Sequence, residues 1–231
     1  EVGVERIITI AVATENLDRV MELTRVSPMI WGTQGVHPHE AACYDHAVEA
    51  RIRANAADPR IVAIGEIGLD YYYDHAERAV QRHAFEQQLQ LAAELNLPVV
   101  IHTRDADEDT RAILQNMSAA MTRKGVIHSF TASQSLANYC LAEGFFLGFN
   151  GIATFNSAQN VRSIVATTPT SRILLETDAP YLTPVPYRGR PNAPYFLPFI
   201  AEAIAAIKHL DIEELLQHAY RNSLELFFEG A

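Results

Sequence analysis

The chain has 231 residues, 48% of them hydrophobic and 20% charged, which is close to the globular average and excludes extensive disorder. A formal net charge of −10 argues against a protein that grips long duplexes through a basic face, but not against an enzyme that holds phosphate through metal ions. No apolar run reaches the ~18 residues of a membrane helix, the first residues lack the pattern of a signal peptide, and the two cysteines have no framework spacing, so a reducing cytoplasm is the expected location.

Short apolar runs alternate with amphipathic stretches along the whole chain. The runs are rich in Val, Ile or Phe and lack strict alternation, which is typical of strands buried on both faces. Seven runs are predicted as strands: residues 6–12, 29–36, 61–67, 98–102, 125–128, 145–149 and 172–176. Strand–helix alternation of this length predicts a parallel sheet with helices outside it.

The predicted helices between these runs have recognisable ends. After the third run, apolar residues recur with helical spacing until Asn96 and Pro98, which end the helix. After the fifth run, Ser133 can cap a helix, and Gly144 stands where a helix commonly ends in a left-handed residue. Asp211 opens the terminal helix.

The strand count predicts an α/β fold of the (β/α)₈ TIM-barrel type. A closed barrel needs eight strands, and seven are found, so the first strand–helix unit is expected to be absent from the given sequence. About 25–35 further residues are expected upstream, from the ~30-residue size of such a unit. Seven strands in an open barrel are the alternative. Residues 1–231 show no internal boundary and are predicted to form a single domain.

Polar side chains stand at the ends of five predicted strands: His37, Glu66, His102, His128 and Asp178. Catalytic groups of a barrel lie at the C-terminal ends of its strands. Imidazole and carboxylate together suit Zn, Mn or Fe, so the five residues predict a divalent metal site. One such residue alone would be weak evidence, because a strand-end histidine is more often not a ligand and Asp before Ala-Pro also favours a turn.

Several residues near the predicted metal site have two possible interpretations. Arg104 could bind phosphate with both arms of its guanidinium or pair with Asp105 or Glu66. The three tyrosines at 71–73 could stack a base or a sugar, or simply cover the barrel mouth. His39 is either a surface residue or a substrate contact.

Glu176 and the remaining histidines are not expected to be metal ligands. Glu176 could point outward, but its offset of two from Asp178 indicates the same side of the strand and a supporting role. Five histidines on predicted helices or their approaches are expected to be ordinary surface residues: His46, His75, His83, His209 and His218.

Long, ordered motifs give the chain a family resemblance. The segments GVHPHE, GEIGLDYYY, LPVVIHTRDA, GVIHSFTAS and ETDAPYLTP, with the glycine-rich stretch 144–151, resemble the TatD family of metal-dependent hydrolases and deoxyribonucleases. The resemblance runs from about Val36 to Phe228. It implies a metal-dependent TIM barrel that hydrolyses DNA phosphodiesters, often as a 3′→5′ exonuclease. One or two divalent ions (Zn, Mg or Mn) are implied as cofactors, and single-stranded DNA or strand ends as the substrate. No membrane contact or obligate protein partner is inferred.

The resemblance also suggests roles for single residues. Glu66 resembles the catalytic carboxylate that serves both metals, and Asp178 resembles the final-strand ligand and general base. His102 and His128 look like ligands of the second metal, and His37 resembles a histidine beside the phosphate.

Phosphate oxygens would be held by Arg104 and by Arg188 or Arg190 in the proline-rich loop. One feature departs from the family: members usually begin with a strand that ends in His-x-His and holds the first metal, and this sequence has no such motif. Two alternatives remain, a hydrolase of a small molecule and a non-catalytic barrel. The first would be favoured by a strand-end lysine that, once carboxylated, could bridge two metals, and none is found.

Overall fold

The computed structural model describes residues 2–228 and is an α/β structure with seven strands and eight α-helices in that range. It divides into two compact units. The N-terminal unit comprises residues 5–126 and 226–231, and the C-terminal unit comprises residues 1–4 and 127–225.

The N-terminal unit is built on parallel strands that follow the order of the chain. Its strands are β1 (Ile7–Thr9), β2 (Ile30–Gln34), β3 (Ile61–Asp70) and β4 (Val99–Arg104), and β5 (Gly125–Ile127) begins at its end. Its helices are α1 (Leu17–Thr24), α2 (His46–Asn55), α3 (Arg78–Leu95) and α4 (Asp107–Met117). Each of β1, β2 and β3 pairs in parallel with the strand that follows it. A short 3₁₀ segment, Pro38–Cys43, follows β2 and contains the second half of the GVHPHE motif.

The C-terminal unit repeats the same alternation. Its strands β6 (Phe146–Phe149) and β7 (Ile173–Leu175) pair in parallel. The helices of this part of the chain are α5 (Gln134–Ala142), α6 (Gln159–Thr167), α7 (Leu197–Lys208) and α8 (Ile212–Phe227). Between β7 and α7 lies a proline-rich loop that contains Pro180, Pro184, Pro186, Pro191 and Pro194.

The predicted helix ends are confirmed. Asn96 ends α3 with a left-handed φ of 53°. Ser133 caps α5 by accepting a hydrogen bond from the Leu136 N–H at 3.2 Å, and Gly144 follows that helix with φ 89°. Such ends satisfy backbone groups that a helix otherwise leaves without partners.

All seven predicted strands are found, although two of them run further than predicted. The strand β3 continues to Asp70 and β4 continues to Arg104. Among residues 2–228 the structure has no eighth strand, and the prediction of a further unit, like that of a single domain, stays a prediction. No helix in the same range is both long enough and apolar enough to cross a membrane.

The strand β3 is the centre of the N-terminal unit, and every one of its residues is buried. Ile64, Ile67 and Leu69 have no exposed surface. Close approach to the next strand depends on Gly65, where a Cβ would lie 2.6 Å from the Cβ of Val100. This packing places the carboxylate that follows Gly65 beside the histidine of β4.

Candidate metal centre

Three predicted site residues come together in the N-terminal unit. One ligand atom each of His37, Glu66 and His102 lies within 4.8 Å of the others. Oε1 of Glu66 is 3.0 Å from Nδ1 of His102 and 3.6 Å from Nε2 of His37. Glu66 lies in β3 and His102 in β4, and His37 follows β2 directly before the 3₁₀ segment. The three strands are neighbours in the parallel order.

A second carboxylate, Asp70, completes what we call the histidine–carboxylate cluster: His37, Glu66, Asp70 and His102. Its Oδ2 lies 3.2 Å from Nε2 of His102 and 2.9 Å from Nε2 of His39. The Asp70 side chain has no exposed surface. Burial of Asp70 raises its pKa, but hydrogen bonds from His102, from the backbone of the following loop and from His39 outweigh burial and lower the pKa below its ordinary value. Asp70 is therefore a carboxylate at neutral pH.

The hydrogen bonds distinguish the two cluster histidines. His37 accepts the His39 backbone N–H on Nδ1 at 3.1 Å, so its hydrogen is carried on Nε2, the atom that faces Glu66. Burial lowers the pKa of His37 to about 3, which keeps the ring neutral. In this arrangement the Nε2–H of His37 faces Oε1 of Glu66 across 3.6 Å, which is too far for a hydrogen bond.

His102 is placed differently, because a carboxylate faces each of its ring nitrogens. A neutral imidazole carries only one N–H, so the ring satisfies both carboxylates only as the imidazolium or with a cation on one side. A carboxylate oxygen and an imidazole nitrogen 3.0 Å apart, supported by a second buried carboxylate, are a donor set that suits a divalent ion.

Arg104 is held by aromatic rings. Its guanidinium carbon lies 4.0 Å from the centre of the Tyr72 ring and 4.8 Å from that of Tyr73. Among residues 2–228 it forms no ion pair with Asp105 or Glu66, the alternative that the sequence left open. Its binding of phosphate stays a prediction.

In the C-terminal unit, His128 is paired with Glu176. Nδ1 of His128 lies 3.2 Å from Oε1 of Glu176, which also accepts the Ser129 N–H at 2.7 Å and lies 3.3 Å from the side-chain nitrogen of Asn150. Glu176 thus fixes the ring of His128, in keeping with the supporting role that its spacing predicts.

Asp178 and Arg188 also lie in the C-terminal unit. Asp178 has a left-handed φ of 58°, and its carbonyl accepts the Tyr181 N–H at 2.8 Å, so it begins a turn as its Ala-Pro context predicts. The Arg188 guanidinium lies 4.0 Å from the centre of the Phe155 ring and donates to the Thr183 carbonyl at 3.1 Å. The ligand and substrate roles predicted for His128, Asp178 and Arg188 stay predictions.

Sequence reasoning missed the role of Asp70. Asp70 was overlooked because β3 was predicted to end at Ile67, although a polar residue inside the GEIGLDYYY motif was the available signal. His75 is exposed, as expected for a surface residue, and its ring centre lies 4.4 Å from that of His39.

Comparison with known proteins identifies the family of the chain. The family model described as "TatD related DNase" matches residues 1–228. The chain is 38% identical over 224 residues to the uncharacterized metal-dependent hydrolase YabD of Bacillus subtilis, covering 97% of this chain and 88% of the relative. It is 37% identical over 233 residues to the 3′-5′ ssDNA/RNA exonuclease TatD of Erwinia tasmaniensis, covering 98% and 90%.

A solved structure shows the same fold. The TatD homologue YJJV of Escherichia coli K12 superposes with a TM-score of 0.92 at 28% identity, covering 98% of this chain and 87% of that one. The family match, the hydrolase and nuclease relatives and this structural likeness together show that the chain is an enzyme of the TatD-related DNase family of metal-dependent hydrolases.

Proposed function

We propose that the chain hydrolyses phosphodiester bonds of single-stranded DNA from the 3′ end. The observation that carries this proposal is the pairing of Glu66 with His102 at 3.0 Å, with the buried carboxylate of Asp70 behind the imidazole. The 37% identity to a relative named as a 3′-5′ ssDNA/RNA exonuclease supports the choice of substrate.

Glu66 and His102 are the residues that would hold a divalent ion in the N-terminal unit. His128 and Asp178 are further ligands expected from the sequence alone. The ion, when bound, supplies positive charge near the phosphate and lowers the pKa of bound water from about 15.7 toward ~7.

The remaining tasks fall to this chain's own side chains. The Nε2–H of His37 can donate to a non-bridging phosphate oxygen in exchange for its long contact to Glu66. Asp178 would accept the proton of the attacking water, and Arg104 would bind the phosphate oxygens through its N–H groups. Asp70 keeps His102 in place throughout.

The test is cleavage of a 5′-labelled single-stranded oligonucleotide with Mg²⁺, Mn²⁺ or Zn²⁺, with and without EDTA. We expect a ladder that shortens from the 3′ end, is abolished by EDTA and is nearly absent for Glu66→Gln. Hydrolysis of a lactone or phosphotriester without any cleavage of nucleic acid would contradict the proposal and favour the small-molecule alternative.

A further inference from the structure

Two exposed tyrosines lie beside the histidine–carboxylate cluster, in the loop after β3. Tyr72 is 58% exposed and Tyr73 is 51% exposed. The ring centre of Tyr73 is 5.4 Å from that of His39, which is 4.4 Å from that of His37. The aromatic surface is therefore continuous with the cluster.

Hydrogen bonds hold the backbone of this loop although its Tyr72 and Tyr73 rings are exposed. Oδ1 of Asp70 accepts the backbone N–H groups of Tyr72 at 3.0 Å and Tyr73 at 2.9 Å. The preceding Tyr71 is fixed through its hydroxyl, which donates to Asp109 at 2.5 Å. A surface that is already ordered loses little conformational entropy when a ligand stacks on it.

Arg104 gives this surface a polar edge. The Tyr72 and Tyr73 rings are perpendicular, with centres 4.9 Å apart, and the guanidinium packs on both of them. Within the part of the chain that the structure describes, no protein group accepts a hydrogen bond from the guanidinium. Its N–H groups can therefore bind an anion while its flat face stays on the rings.

We propose that Tyr72, Tyr73 and Arg104 form a nucleotide subsite, in which an unpaired nucleobase stacks on the tyrosines and its phosphate meets Arg104. This inference rests on the proposed function and adds how the strand is held. Every base has a flat π-face, so the subsite accepts any sequence. A base inside a duplex has no free face, so the subsite selects single strands.

The test compares two substrates for Tyr72→Leu and Tyr73→Leu. One is a short oligothymidylate, and the other has the same length but abasic 3′-terminal residues. We expect each variant to raise KM for the oligothymidylate about tenfold, the size of one lost stacking contact, with kcat unchanged. The abasic strand should be cleaved equally by all forms. Tyr220→Leu, at a 44% exposed tyrosine of α8, is the matched control.

Equal losses on both substrates, or no loss on either, would overturn the subsite. If the wild-type protein cleaves neither strand, the proposed function is wrong. The subsite is then tested by DNA binding alone. Fluorescence anisotropy with labelled oligothymidylate then has to show about tenfold weaker binding by the tyrosine variants, with the abasic strand unaffected. Equal affinities for wild type and variants would refute the subsite independently of catalysis.

Discussion

Asp70 holds the imidazole of His102 from the side opposite Glu66. Its Oδ2 lies 3.2 Å from Nε2 of His102, whose Nδ1 is 3.0 Å from Glu66. When Nε2 carries the hydrogen and donates it to Asp70, Nδ1 has no hydrogen. Its lone pair then points toward Glu66. Asp70 thereby determines which nitrogen of His102 can ligate a metal ion.

We expect Asp70→Asn to weaken binding of a divalent ion by about 10- to 100-fold, the usual effect of losing a partner behind a ligating histidine. The amide keeps the shape of the side chain but loses the charge that holds Nε2–H. The measurement is a metal titration by isothermal calorimetry. Asp74→Asn, at an exposed position of the same loop with a left-handed φ of 53°, is the matched control. An affinity for Asp70→Asn equal to that of the control would show that Asp70 does not orient the ligand.

A second prediction concerns Asp178, the residue expected to accept a proton. Asp178→Asn should reduce cleavage at least ~100-fold, because general-base work is lost together with a ligand charge. The fold should be retained, since Asn tolerates the left-handed φ of 58° at least as well as Asp. Single-turnover rates measure the loss of cleavage, and thermal melting of the purified variant checks that the fold is retained. Activity within a few-fold of wild type would refute the assignment.

Strand order and helix ends could be predicted because they depend on local patterns. Apolar runs locate all seven strands, and Ser133 and Asn96 mark helix ends through short-range hydrogen bonding and backbone conformation. The end of β3 was misplaced because the predicted apolar run stops at Ile67, before Gly68, whereas pairing with β4 extends to Asp70 and Arg104.

The arrangement of the cluster could be predicted only in part. Strand-end position correctly predicts that His37, Glu66 and His102 lie close together. The role of Asp70 could not be predicted, because it depends on which ring nitrogen faces which carboxylate. The packing of Arg104 on tyrosines could not be predicted either, because Asp105 and Glu66 were also possible partners in the sequence.

A third prediction concerns the hydrogen-bonded anchor of the tyrosine loop. The Tyr71 hydroxyl and the Arg82 guanidinium donate to Oδ2 of Asp109 at 2.5 and 3.0 Å. The hydrogen bond from Tyr71 is the main cause of a lowered pKa of Asp109, burial opposes it, and Arg82 adds to it. A carboxyl whose pKa is lower in the folded state stabilises the fold above its unfolded pKa of about 3.9, and this contribution is lost as the pH falls through the folded pKa.

We therefore expect Asp109→Asn to lower the free energy of unfolding at neutral pH by less than about 1 kcal/mol, because the partners are partly exposed. The difference from wild type should shrink as the pH falls below about 4. Urea unfolding across this pH range measures it, with Asp105→Asn at an exposed neighbour as the control. A difference that does not change with pH would rule out the carboxylate as its source.

The last prediction concerns Gly148, a residue of β6 without any chemistry of its own. A Cβ at this position would lie 2.6 Å from Oε2 of Glu176 and 3.3 Å from Cα of His128. Gly148→Ala should therefore push Glu176 away from the ring of His128 and destabilise the protein by roughly 1–3 kcal/mol, as overpacking commonly does. If His128 is a ligand, cleavage should fall as well. The decisive measurement is a double-mutant cycle by urea unfolding with Glu176→Ala, which removes the clashing carboxylate. Gly148→Ala should cost markedly less in that background than in the wild type. Equal costs in the two backgrounds would mean that the space at Gly148 is not reserved for Glu176, and that the His128 ring owes its position to other contacts.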